Sequence, residues 1–202
     1  TLPLAASASF PTSLRNVAAT GQTAALTSSS VLQIEAGFDF VCALFRDGRV
    51  KCWGDNSFGE LGQENTTQIG DAAGEVASLN YIDLGSGARA KQIAVGSSHA
   101  CALLTNGQVQ CWGYSDFGNL GISDRDALGD APGEMGSSLV RANLGTGLTV
   151  RSIAASSNLT TCAIFTDGRL KCFGYNRYGG AGAGVSDQTL GASDSELGDA
   201  LP

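Results

Sequence analysis

The chain has 202 residues, of which 28 are glycine and only 15% are charged, and its formal net charge is −7. An acidic chain with no basic cluster is poorly suited to binding nucleic acid, and no apolar run is long enough for a membrane span. Frequent glycine, short β-type segments and the lack of long 3.6-residue periodicity favour an all-β protein.

Three β-hairpins of one pattern follow one another along the chain. Their sequences are FVCALFRDGRVKCWG, HACALLTNGQVQCWG and TTCAIFTDGRLKCFG, at residues 40–54, 99–113 and 160–174. A three-residue hairpin loop requires glycine at its third position, where the backbone is left-handed. The loops therefore end at Gly48, Gly107 and Gly168, and these glycines are predicted to have positive φ.

This loop register sets the two cysteines of each hairpin opposite each other, about 4.5–5.5 Å apart and close to the reach of a disulfide. All six cysteines are used in this way, and the predicted pairs are Cys42–Cys52, Cys101–Cys111 and Cys162–Cys172. Zinc knuckles use shorter spacings and Cys-x-x-Cys redox motifs are absent, which leaves reduced core cysteines as the alternative. Disulfides persist in oxidising compartments, so the chain is predicted to be secreted or displayed at the cell surface.

Each hairpin belongs to a longer repeat, because the first cysteines of the copies are 59 and 61 residues apart. A glycine-rich stretch such as WGDNSFGELG comes next, then an acidic linker, and in two copies a second hairpin, YIDLGSGARAKQIAVG or VRANLGTGLTVRSIAAS. Two hairpins per period supply four strands, the content of one propeller blade. A single repeat domain is therefore predicted over residues 1–202, with repeats at about 14–79, 80–139 and 140–202.

The stretch GSSHACALLTNGQVQCWGYSDFGNLG resembles the repeat of the regulator of chromosome condensation family. His99 stands at the family's histidine, Trp112 begins its Trp-Gly pair, and Gly118 and Gly121 are its closing glycines. The third copy departs most, with Phe173 in place of the tryptophan. Family members form β-propellers, commonly of seven blades, so the resemblance implies about three four-stranded blades in a partial or open propeller. The cysteine pairs depart from the family pattern and point to an extracellular branch.

The acidic linkers are the candidates for a metal site. Oxygen-rich loops that contain glycine can bind calcium, which is plentiful outside cells. The alternative is a set of solvated turn residues whose carboxylates bond to the local backbone, since the spacing is not that of an EF-hand. No cofactor other than calcium is expected. The candidate ligands are Asp71, Glu75, Asp124, Asp126, Asp130 and Glu134.

Two Asn-x-Thr sequons are candidate N-glycosylation sites for an extracellular chain. Asn65 lies in the first linker, and Asn158 lies in the turn that enters the third hairpin. Such triplets also occur by chance, so the sequence indicates the sites without showing that they are used.

No catalytic residue is predicted, because the sequence has no nucleophile–base pair and its single histidine fits a structural hydrogen bond better than general-base work. The first functional hypothesis is therefore a non-catalytic extracellular structural repeat protein, a subunit of a filament, appendage or surface coat. The alternative is a secreted binding module, such as an adhesin, lectin-like protein or inhibitor, that acts through propeller loops. Nucleotide exchange on a small GTPase, which part of the family performs, requires the cytosol, and the cysteines argue against that compartment.

Three blades do not close a ring of seven, so the outer faces of the first and last blades need cover. A homo-oligomer or polymer is expected, in which the terminal segments, residues 1–17 and 188–202, pack against neighbouring chains. The alternative is that both ends are cut points in a longer protein. No nucleic-acid partner and no membrane span are expected.

Overall fold

The computed structural model describes residues 30–184 and 189–202, and over these residues the protein is almost entirely β-structure. The strands are short runs rich in valine, isoleucine, leucine and phenylalanine, separated by turns that contain glycine. They are β1 (Val31–Ala36), β2 (Phe40–Phe45), β3 (Val50–Gly54), β4 (Ala90–Val95), β5 (His99–Leu104), β6 (Val109–Gly113), β7 (Val150–Ala155), β8 (Thr160–Phe165), β9 (Leu170–Tyr175) and β10 (Thr189–Leu190).

Within the described ranges, the helical residues form three short turns. One is a single α-turn, α1 (Glu75–Ser78), and the other two are 3-10 turns at Asp194–Glu196 and Gly198–Ala200. Across the two described ranges, no helix has the length and apolar character that a membrane crossing needs.

Three antiparallel sheets follow one another along the chain, one for each cysteine-containing hairpin. Blade 1 consists of β1–β2–β3, blade 2 of β4–β5–β6, and blade 3 of β10–β9–β8–β7 in that order. The hairpin register is the predicted one, since Cys42 lies opposite Cys52 and Leu44 opposite Val50, and the other two hairpins pair in the same way. The predicted all-β class is therefore confirmed.

Four strands occur only in blade 3 among the described residues. In blades 1 and 2 the outer edge has isolated bridges instead of a fourth strand. They join Gly54 to Ile69 in blade 1, and Gly113 to Leu128 and Gln110 to Arg141 in blade 2. A glycine with positive φ follows the bridge residue directly, at Gly70 in blade 1, and it turns the chain away before the pairing can extend. The glycine-rich linker therefore shortens the fourth strand that the repeat pattern predicts.

The predicted second hairpin is divided between two blades. Its first arm lies beside β3 of blade 1, where Ile82 N donates a backbone hydrogen bond to Val50 O at 2.9 Å. Its second arm is β4, the first strand of blade 2. The second hairpin of the next repeat is divided in the same way, since Ala142 N donates a backbone hydrogen bond to Val109 O of β6. The glycine turn is thus a crossing from one blade to the next and does not close a hairpin within one sheet.

The hydrophobic core consists of two layers, one between blades 1 and 2 and the other between blades 2 and 3. Strand β5 is buried along its whole length because blade 2 is covered on both faces. Alternate side chains of a strand point to opposite faces, so Ala102 and Leu104 enter the first layer while Cys101 and Leu103 enter the second.

Side-chain amides also join neighbouring blades. Gln33 of β1 donates to Ile93 O at 2.8 Å and accepts from Ile93 N at 2.9 Å. Gln92 of β4 makes the same pair of bonds with Ile153 of β7, at 2.8 and 3.0 Å. We call this two-way contact the amide clamp. It repeats at one position in both junctions and so fixes how each blade stacks on the next.

The loop glycines have the conformation that the three-residue turn requires. Gly48, Gly107 and Gly168 have φ of 81°, 84° and 90°, which confirms the prediction. In each loop the glycine N–H donates to the carbonyl three residues earlier, as from Gly48 N to Phe45 O at 2.9 Å. Only the surroundings of these glycines differ between the repeats.

We expect Gly48→Ala to destabilise the protein more than Gly168→Ala. Both changes place a side chain at positive φ, which costs roughly 1–2 kcal/mol. A Cβ at Gly48 would also lie 2.7 Å from Arg89 Cβ and 3.0 Å from Ala90 O, whereas nothing lies within 4 Å of a Cβ at Gly168. Urea unfolding of the two variants should separate them by at least about 1 kcal/mol, and equal losses would contradict the close approach of the blades at Gly48.

The C-terminal segment packs into its own chain. Strand β10 pairs with β9, and Leu190 and Leu201 belong to the core layer between blades 2 and 3. Residues 189–202 therefore pack in part against their own chain, because their leucines fill an internal layer, and the expectation that residues 188–202 contact other chains more than their own stays a prediction. Residues 1–17, the other terminal segment of that expectation, lie outside the described residues.

Candidate functional site

All cysteines of the described chain form disulfides, in the pairing that the hairpin register predicts. The bridge Cys42–Cys52 lies in the core layer between blades 1 and 2, and Cys101–Cys111 lies in the layer between blades 2 and 3. Because the three sheets share one register, Cys162–Cys172 lies on the face of blade 3 that points away from blade 2. Each bridge therefore belongs to the side of its blade that a following blade would cover.

The glutamates of the acidic linkers bind backbone amides. A carboxylate oxygen of Glu75 accepts hydrogen bonds from Gly70 N and Ala72 N, at 2.7 and 3.1 Å. These two bonds lower the pKa of Glu75. Glu134 accepts from the equivalent pair of amides in the second linker, at 2.8 and 2.9 Å. Both glutamates thus have the local turn role that was the alternative to calcium binding.

The other calcium candidates are arranged in pairs. Asp124 accepts a hydrogen bond from Asp126 N at 3.1 Å. The pKa of Asp130 is raised mainly by burial and secondly by its hydrogen bond with Glu134. Asp71 lies within hydrogen-bonding reach of Glu75. Among the residues that the structure describes, no three His, Cys, Asp or Glu side chains come together where a metal ion could be held. Calcium binding by this set stays a prediction.

Both sequon asparagines are exposed. The Asn65 side chain accepts from Thr67 N at 2.8 Å and donates to Gln63 O at 2.8 Å, so it stabilises its own turn. The threonine of the second sequon, Thr160, is buried and donates to Tyr175 O. Glycosylation at Asn65 and Asn158 stays a prediction.

His99 is fully buried between blades 2 and 3. Thr161 Oγ1 donates to Asn119 O at 2.8 Å, so His99 Nε2 must donate to Thr161 Oγ1, 2.9 Å away. Nδ1 is then the unprotonated nitrogen, and it has no hydrogen-bond partner among the described residues. Burial lowers the pKa of His99 to about 4, so the ring is a neutral link between two blades.

The outer faces of blades 1 and 3 expose apolar residues at positions that are buried in the junctions. Ile34 of blade 1 is 62% exposed, while Ile93, at the same register position in blade 2, is 1% exposed. Leu170 of blade 3 is 58% exposed, while its counterpart Val109 is 2% exposed. We refer to these surfaces as the two end faces.

Four aromatic rings form a continuous row across the loops of all three blades. Phe58 of blade 1 contacts Tyr114 of blade 2, Tyr114 contacts Phe117, and Phe117 contacts Tyr175 of blade 3, with ring centroids 4.8, 6.0 and 5.0 Å apart. All four rings are partly exposed. The aromatic row was not predicted. The recurrence of Phe directly before glycine in NSFG and SDFG, and of Tyr directly after glycine in WGY and FGY, was a signal for it.

A cleft of about 740 Å³ lies near the turn between blades 1 and 2. Its lining includes Arg89, Asn106, Gln110 and Arg141, together with glycine, serine and apolar residues, and contains no His, Cys, Asp or Glu. The hydroxyl groups of the lining have no histidine or carboxylate within the same lining to act as a general base.

Comparison with known proteins agrees with this architecture. The Regulator of chromosome condensation (RCC1) repeat matches residues 31–60, 90–119 and 150–179, which include the three cysteine-containing hairpins. The ultraviolet-B receptor UVR8 of Arabidopsis thaliana is 31% identical over 166 residues, which are 81% of this chain and 34% of UVR8. The probable E3 ubiquitin-protein ligase HERC3 of Homo sapiens is 35% identical over 99 residues, 49% of this chain and 9% of HERC3.

A solved structure shares the fold. Prp20p of Saccharomyces cerevisiae, whose structure was described with its binding to Gsp1p and histones, superposes with a TM-score of 0.58 and 24% identity over 79% of this chain and 37% of Prp20p. The chain spans about a third of UVR8 and of Prp20p, and a smaller share of HERC3. The matching repeats and their shared register show that the chain contains three repeats of the RCC1 family.

Proposed function

We propose that this chain is a non-catalytic, extracellular structural repeat protein that assembles through its two end faces. The observation that carries the proposal is the exposure of Ile34 and Leu170 at positions that both internal junctions bury. Apolar groups in this arrangement are stabilised when another surface covers them. Stacked blades in a filament, an appendage or a surface coat would supply that cover.

The disulfides support the extracellular part of the proposal. Every described cysteine is paired, and disulfides of this kind persist in oxidising compartments. Alkylation of native material with iodoacetamide in the absence of reductant should modify no cysteine. A native chain that carries labelled thiols would contradict the extracellular assignment.

A second copy of the chain fits the end faces. The outer face of blade 1 has the strand positions that, in blade 2, contact blade 1. The outer face of blade 3 has the strand positions that, in blade 2, contact blade 3. Contact between these two different surfaces is heterologous, so it produces a ring when the rotation closes and a filament when it does not.

We expect Ile34→Asp and Leu170→Asp each to weaken self-association at least about tenfold, because each change places a charge in an apolar junction. Association is measured by sedimentation equilibrium of the intact chain, and the particles are examined by electron microscopy. Val140→Asp is the matched control, since Val140 is equally exposed but lies away from both end faces, beside the cleft.

Two results would contradict assembly from identical chains. The first is a wild-type chain of 20.5 kDa that remains a monomer at micromolar concentration. The second is a native polypeptide that is much heavier than 20.5 kDa after removal of glycans, since further blades of the same polypeptide would then cover the end faces.

A secreted binding module that acts through propeller loops is the second candidate function. The aromatic row favours it, because a contiguous exposed apolar surface on loops is typical of a binding site. The two functions use different surfaces and do not exclude each other.

A further inference from the structure

We propose that the aromatic row binds an extended segment of another protein that carries arginine or lysine side chains. The row consists of Phe58, Tyr114, Phe117 and Tyr175, and it crosses the loops of the three blades. It lies apart from the end-face residues Ile34 and Leu170, so this binding does not depend on the proposed assembly.

The rings are exposed although the same loops have buried aromatic neighbours. Phe58 is 41% exposed, whereas Trp112 and Phe173, which precede row residues by two positions, are wholly buried in the core layers. Edge-to-face contact between the rings leaves part of each available to a ligand. The rings of the row therefore do not fill the core, whereas the Trp112 side chain does.

The loops that carry the row are held in place by buried polar side chains. Asn56 donates to Asn65 O and accepts from Leu61 N, at 2.6 and 2.9 Å. In blade 2, Ser115 Oγ donates to Asp124 O at 2.9 Å. A ligand that binds to loops already fixed in this way does not have to order them, which favours affinity.

The length of the row suits a short extended peptide. The path through the four ring centroids is about 16 Å long, and an extended chain advances roughly 3.3–3.6 Å per residue. A segment of about five residues therefore covers the whole row.

The carboxylates in the loops of Phe58 and Tyr114 favour a cationic segment. Asp55 is in the loop of Phe58 and accepts from Ser57 Oγ, and Asp116 accepts from the Tyr114 hydroxyl at 2.6 Å. A guanidinium or ammonium group on an aliphatic stem can stack on ring faces and pair with these carboxylates, whereas an acidic or phosphorylated segment is repelled.

The test uses two fluorescein-labelled peptides of equal length, Gly-Pro-Arg-Ser-Arg-Pro-Gly and the same peptide with both arginines replaced by glutamate. Binding to the intact, disulfide-bonded chain is followed by fluorescence anisotropy. We expect saturable binding of the arginine peptide and at least tenfold weaker binding of the glutamate peptide, with an affinity that falls as salt is raised.

Variants of a ring and of a carboxylate separate the contribution of aromatic stacking from the contribution of charge. Phe117→Ala is expected to weaken binding of the arginine peptide about tenfold by removing a central ring. Asp116→Asn keeps an acceptor for the Tyr114 hydroxyl and is expected to weaken binding about threefold with a smaller salt dependence. Because Asp116 is exposed, this variant tests the proposal even where Phe117→Ala disturbs folding. Val140→Ala, remote from the row, should bind like the wild type.

Three outcomes would overturn the proposal. They are equal affinity for the two peptides, no saturable binding of the arginine peptide, and unchanged binding by a folded Phe117→Ala variant. Binding of chitohexaose that is lost in Phe117→Ala, without binding of the arginine peptide, would identify the row as a carbohydrate site instead.

Discussion

Reduction of the three disulfides is expected to lower the free energy of unfolding by about 8 kcal/mol. Each bridge joins residues ten positions apart, and the chain-entropy relation gives about 2.7 kcal/mol for a loop of that length. Domains of this kind are stable by roughly 5–15 kcal/mol in total. The reduced protein should therefore be unfolded or close to unfolding at 37 °C, which circular dichroism with and without reductant will show.

Pairwise replacement by alanine separates the bridges. Cys42→Ala with Cys52→Ala removes a bridge that is wholly buried between blades, so packing is lost in addition to the loop constraint. Cys162→Ala with Cys172→Ala removes the bridge on an end face, where Cys162 is partly exposed. In urea unfolding, we expect the free energy of unfolding to fall by about 3–4 kcal/mol for the first pair and by about 2.5 kcal/mol for the second. A loss below about 1 kcal/mol for either pair would contradict the loop-closure account.

The second large effect is a loss of stability at acidic pH that depends on His99. Its pKa is about 4 in the folded protein, against an ordinary value of 6.5. The unfolded chain therefore binds a proton more readily, and the stability that the neutral ring contributes is fully present above pH 6.5. It declines as pH falls from 6.5 to 4, by about 3 kcal/mol in all.

His99→Gln provides the control for this pH dependence, because glutamine keeps a donor for Thr161 and does not titrate. Burial raises the pKa of Glu60 and of Asp130, so these groups favour the folded state increasingly as pH falls. Both proteins contain them, and the difference between the two stability curves isolates His99. That difference should change by about 3 kcal/mol between pH 7 and pH 4; a constant difference would mean that the ring is not kept neutral by burial.

The hairpins were predictable because their structure is determined locally. The loops RDG, TNG and TDG specify one turn, the turn fixes the register, and the register brings Cys42 opposite Cys52. Three copies of the same pattern reinforced one another, and this is also why the resemblance to the RCC1 repeat was clear. The local role of Glu75 was likewise one of the two readings that the glycine-rich linker allowed.

Features that depend on contacts between blades could not be read from one repeat. Gln33 meets a backbone partner 60 residues away, and the arm that contains Ile82 pairs with the preceding blade. The aromatic row exists only because loops from three blades are placed side by side. The burial of Leu201 also depends on a layer that two blades create together.

Because of the amide clamp, the two ends of the stack of blades are not equivalent, and one junction is expected to be the weakest when the stack is pulled. In each internal junction the side-chain amide comes from the earlier blade and the backbone groups come from the later one. Blade 3 has Ser152 at that register position, and its shorter side chain lacks the paired donor and acceptor of glutamine. A blade that docks on blade 3 is therefore held without the clamp, so pulling along the stack should part it there before either internal junction yields.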